Sequence, residues 1–154
     1  MIDTHQIFVV MLETLRKEDK YLLRRVYGKR NKISSLPEIG GIFNLDEKHI
    51  QYILYKSLLE LERYWFFIED PYGKKDKRSC DLTVYTKRKN WEKSLWIEIK
   101  TTGWCHEGNY KNWIILDADK LGTLKHKKAQ KYLLVTSIED GEQDKKEWED
   151  WFNK

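Results

Sequence analysis

The sequence predicts an α/β domain, an αβββαβ core with a mixed central sheet, preceded by an N-terminal helical extension. Three observations carry that expectation. Ile50, Leu54, Leu58 and Leu61 recur on one face at helical spacing. From Tyr64 onward the pattern becomes β-rich, with an aromatic run at 64–68 and alternating runs at 81–85 and 95–100. A helical stretch at 117–130 then precedes a short apolar run at 132–136, and such alternation of helix and strand builds a mixed sheet.

Taken in order, residues 3–28 read as one or two helices, opened by Asp3 and Gln6 at capping-box spacing and stopped by Gly28. Residues 29–35 are a loop, and Ser35 with Pro37 opens a short helix ended by Gly40 and Gly41. Asn44 followed by Glu47 gives the N-cap signature of the main helix, which should run to about Arg63. Pro71 and Gly73 open a basic loop before the strand at 81–85. The polar stretch 87–92 joins that strand to the one at 95–100 as a hairpin. The tail, 143–152, is a charged amphipathic helix. The division is residues 1–43 for the extension and 44–154 for the core.

Composition bounds the function. The 154 residues are 40% hydrophobic, enough for one domain with a core. The net charge of +4 suits a polyanionic partner without requiring one. Neither a secretory signal nor a membrane-length apolar run stands out, and the expected setting is cytoplasmic, without a membrane partner. Cys80 and Cys105 lack the repeated ligand spacing of a structural zinc site or a disulfide framework, which fits a reduced compartment.

Chemistry concentrates in Trp96-Ile97-Glu98-Ile99-Lys100. On a strand, Glu98 and Lys100 share one face while Ile97 and Ile99 enter a core. A carboxylate there suits a hard divalent cation, and an ammonium beside it can hold a water or offset phosphate charge. If the hairpin centres between Asn90 and Trp91, opposed residues sum to 181 and Asp81 faces Lys100, near Glu98. The competing reading is a strand-edge ion pair of Asp81 with Lys100, with Glu98 solvated.

Cys80-Asp81-Leu82 followed by Trp96-Ile97-Glu98-Ile99-Lys100 resembles the PD-(D/E)XK, or restriction-endonuclease-like, nuclease superfamily, with Cys80 standing where Pro often stands. The resemblance implies a magnesium- or manganese-dependent endonuclease acting on nucleic acid, DNA ahead of RNA. It implies Asp81, Glu98 and the Ile99 carbonyl as metal ligands, and Lys100 as the group that orients water or stabilises transition-state charge. Glu47 on the first core helix would assist, with Glu69 its competitor for a second metal or an outer-shell water. Against these stand a capping box for Glu47 and a solvated strand end for Glu69. Asp117 reads as a helix-opening residue. Dimers are common in that superfamily, and the N-terminal helices would offer a homodimer interface.

Lys74, Lys75, Lys77 and Arg78 beside the site, and Trp104 after Lys100, are the expected nucleic-acid contacts. A second basic group comprises Lys120, Lys125, Lys127, Lys128 and Lys131. The alternative function is non-catalytic nucleic-acid binding, by an inactive nuclease fold or by a winged-helix regulator. In the latter, the helix after Asp46 would enter the major groove, and 65–68 with the basic loop would form the wing. Asp46 and Glu47 are poor phosphate neighbours, and the regulator leaves Asp81, Glu98 and Lys100 without a role.

Overall fold

Residues 2–22, 45–72, 77–86, 94–101, 110–124 and 128–136 are described by the structure, a computed structural model. The helix carrying the apolar stripe, α2 (Glu47–Leu58), buries Ile50, Gln51, Leu54 and Leu58. Its cap is Asp46, in extended conformation, whose side chain accepts the His49 backbone N–H at 2.8 Å. The expected Asn44–Glu47 capping box is therefore corrected: Glu47 is the first helical residue, and its side chain is used elsewhere. The helix also stops short of Arg63, because Leu59 closes its last turn onto the Tyr55 carbonyl and the Leu61 N–H turns back to Leu58 at 2.9 Å.

Beside it lies α1 (Thr4–Leu22), opened by the Asp3 carboxylate, which accepts the Gln6 N–H at 3.0 Å. Ile7 and Met11, four apart and fully buried, insert into the same core as Leu54 and Leu58. The N-terminal helix thus shares the core that covers the sheet.

The sheet has four strands in sequence order, β1 (Tyr64–Pro71), β2 (Ser79–Thr86), β3 (Ser94–Thr101) and β4 (Gln130–Thr136). The first two pairings are antiparallel, and β3 pairs parallel with β4. A parallel neighbour needs a crossover, which contains α3 (Tyr110–Gly122). Pro71 is tolerated because β1 is an edge strand. The expected helix at 117–130 is corrected to an earlier span, so Asp117 lies inside α3 rather than at its start.

Alternation along β3 divides the two cores. Leu95, Ile97 and Ile99 pack with α1 and α2, while Trp96 joins Tyr72, Tyr85 and Leu121 on the α3 side. Covered on both faces, β2 and β3 are buried along most of their lengths. Each fully buried Leu or Ile contributes roughly 1.5–3 kcal/mol, so the strands that carry the site are firmly anchored. The four-stranded mixed sheet does not fit the wing of a winged helix, since β1 continues through β2 into β3. Gly28, the loop and helix expected at 29–41, the connection at 87–92 and the tail at 143–152 lie outside the described residues.

Candidate active site

Glu98 and Lys100 follow Trp96 at steps of two along β3, on the face turned toward α3. The β2–β3 register runs from Tyr85 opposite Ser94 to Leu82 opposite Ile97, a sum of 179. The expected sum of 181 is corrected by two, and Asp81 stands nearest Glu98 rather than facing Lys100. A slip of two preserves every facing, so the two carboxylates still converge. Beyond Leu82 the Asp81 side chain takes over from the backbone: Oδ2 accepts the Ile99 N–H at 2.7 Å. Ile99 contributes this N–H to the site's architecture.

Glu98 is 1% exposed, which overturns the solvated Glu98 of the competing strand-edge reading. Lys120 of α3 donates to Oε2 at 2.8 Å, and the Tyr72 hydroxyl donates to Oε1. Burial pushes the Glu98 carboxyl up to about 7, against the pull of the Lys120 and Tyr72 hydrogen bonds and with the push of the nearby Asp81 charge. Burial and the bond to Glu98 drive the Tyr72 hydroxyl far above its usual range, keeping it a neutral donor.

Lys100 is held between two helices. Its ammonium lies 2.9 Å from Glu47 Oε2 and 3.0 Å from Asp117 Oδ2. Burial opposes its charge, but the two carboxylates outweigh burial and raise its pKa. Glu47 thus stands beside Lys100 as its ion-pair partner. Asp117, expected to open a helix, is an ion-pair partner that also approaches Lys120 at 3.7 Å.

Glu69 occupies the β1 position that opposes Asp81 in the β1–β2 register, whose pairs sum to 150. It has φ of 54°, the one positive φ at a non-glycine among the described residues. Its carboxylate is gathered by Lys48, Ser79 and Gln51, and the Lys48 and Ser79 bonds hold its pKa low despite partial burial. The Glu69 side chain stays exposed, as a solvated strand end would be, but it is tied to three neighbours. Gln51, buried in α2, also donates to the Asp81 carbonyl at 2.5 Å, which explains a polar residue on the core-facing stripe. A strained backbone held by several side chains beside Asp81 is a recurrent trait of functional sites.

Tyr72 and Asp117 escaped the sequence reading as site residues, and Lys120 entered it only as part of a basic group. The available signal was the Asp117–Lys120 spacing of three, which puts both on one helix face. Among the described residues, no three His, Cys, Asp or Glu side chains form a metal-holding group; the Lys100 and Lys120 ammoniums contact several of the carboxylates. Lys77 and Arg78 are exposed just before β2, with Arg78 donating to the Thr123 hydroxyl at 3.4 Å. Lys74, Lys75 and Trp104 lie outside the described residues. No described helix is long and apolar enough to cross a membrane. Compared with known proteins, the chain matches no family model, no curated protein and no solved structure.

Proposed function

We propose that this chain is a metal-dependent endonuclease of restriction-endonuclease-like αβββαβ fold, hydrolysing phosphodiester bonds of nucleic acid, DNA ahead of RNA. The observation that supports the reading is Asp81 beside Glu98 at one end of the β2–β3 pair, with Lys100 two residues further along the same face of β3 and bonded to Glu47 of α2. The element order from α2 to β4 supports the same reading.

The donor chemistry suits Mg²⁺ or Mn²⁺. The candidate ligands are carboxylates, the choice of hard cations, and the buried Glu98 carboxyl beside the Asp81 charge is a group that a cation would relieve. Asp81 and Glu98 are the residues that would hold it. Such a cation would supply Lewis-acid polarisation of the phosphate and would lower the pKa of a water it held.

The chain's own residues supply the rest. Lys100, kept charged by Glu47 and Asp117, stabilises negative charge developing on the phosphate or orients the attacking water. Asp81 clamps the Ile99 backbone, which fixes the spacing of Glu98 and Lys100 on either side of it. Lys77 and Arg78, exposed before β2, would contact phosphates.

A non-catalytic nucleic-acid-binding fold is the second reading. It is favoured by the extent to which Lys100 and Lys120 already neutralise Glu47, Asp117 and Glu98 within the chain. Melting in the presence of Mg²⁺ or Mn²⁺ separates the two. A cation that binds only the native state raises the melting temperature, so the nuclease reading expects a rise that Asp81→Asn abolishes. The binding-only reading expects none.

A further inference from the structure

We infer that Lys120 is a positioning residue that competes with the divalent cation for Glu98, and that Asp117 is the seat it moves to when the cation arrives. The inference rests on the metal-dependent reading of the site and adds the step by which the site accepts its cation. Both oxygens of Glu98 are engaged, Oε1 by the neutral Tyr72 hydroxyl and Oε2 by the Lys120 ammonium at 2.8 Å. A hydroxyl leaves a carboxylate able to bind a cation; an ammonium at that distance repels one.

Lys120 has somewhere to go. Asp117, one turn earlier on α3, already stands 3.7 Å from its Nζ through Oδ1, while Oδ2 of the same carboxylate holds Lys100 at 3.0 Å. The shift needed is a side-chain rotation on one helix face, with α3 and the sheet unmoved. The Tyr72 ring lies 5.6 Å from the ammonium.

The charge count agrees. Glu47, Asp81, Glu98 and Asp117 carry four formal negative charges when ionised, against two positive charges on Lys100 and Lys120. The remainder, two, is the charge of one divalent cation. Without the cation, Lys120 lies against the most buried carboxylate of the four, where leaving a charge unpaired is costly.

The test is calorimetric titration of the full chain with Mn²⁺ at pH 8, comparing wild type with Lys120→Met, Asp117→Asn and Asp81→Asn. Lys120→Met should bind Mn²⁺ at least roughly tenfold tighter, because the competing charge is gone. Asp117→Asn should bind several-fold more weakly, since the displaced ammonium loses its seat. A merely structural lysine would change the melting temperature and leave the affinity alone. Lys120→Gln serves if the Met variant does not fold. Equal affinity in wild type and the folded Lys120 variant, with binding lost in Asp81→Asn, overturns the competition while the cation site stands. Absence of Mn²⁺ binding throughout, or binding indifferent to Asp81→Asn, overturns both.

Discussion

The Asp81 carboxylate accepts the backbone N–H of Ile99 at 2.7 Å, between the two side chains, Glu98 and Lys100, on which the proposed chemistry depends. One residue thus contributes charge to the site and replaces a ladder bond where the β2–β3 pairing ends at Leu82 and Ile97. Asp81→Ala should lose both. Leaving a buried N–H without its acceptor costs about 1–3 kcal/mol, so denaturant melts should show that loss beside absent cleavage. Asp81→Asn, which retains an acceptor, should recover most of the stability and none of the cleavage. Equal stability of the Ala and Asn variants would contradict the clamp.

Glu98 should make stability pH-dependent. Burial, with the Asp81 charge adding and the Lys120 and Tyr72 hydrogen bonds opposing, puts its folded value at about 7, above the ordinary 4.5. The native state therefore binds this proton more tightly than the unfolded chain. The resulting stability is fully present below the unfolded value and is lost as pH rises through about 7. The loss is on the order of 3 kcal/mol between pH 4.5 and 8 without cation. Urea melts across that range should show it in wild type, and Glu98→Gln should flatten the difference. An unchanged slope in Glu98→Gln would assign the dependence elsewhere.

Glu69 stores backbone strain at φ 54°. Replacement by Ala keeps the strain and loses the contacts to Lys48, Ser79 and Gln51; replacement by Gly loses the contacts and releases the strain. Glu69→Gly should be more stable than Glu69→Ala by about 1 kcal/mol in chemical denaturation. The reverse order would show that Glu69 carries no strain in solution.

Much of the fold and of the site was legible in the sequence because hydrophobic period reports which face is buried. The stripe Ile50, Leu54 and Leu58 marked α2, and alternation marked β3. The β2–β3 register was off by two residues, yet a period of two kept Asp81, Glu98 and Lys100 together. Boundaries fared worse where polar residues had uses that local patterns do not encode. Asp117 read as a helix start because Asp favours that place, whereas its partners are Lys100, seventeen positions earlier, and Lys120. Asp46 rather than Asn44 caps α2, freeing Glu47 for Lys100. Tyr72 carried no local signal, since its role arises only when the turn after β1 brings it under Glu98.

The nuclease assignment is tested most directly by cleavage of a panel of labelled duplex, branched and single-stranded DNA and RNA. The comparison is Mg²⁺, Mn²⁺ and chelator, with wild type beside Lys100→Ala and Asp81→Ala. Wild type should cut in a cation-dependent way, each variant should lose at least roughly a hundredfold in rate, and the Asp81 variant should bind nucleic acid undiminished. Absence of cutting with either cation on every substrate, together with equal binding by wild type and both variants, would contradict the nuclease and leave a binding fold.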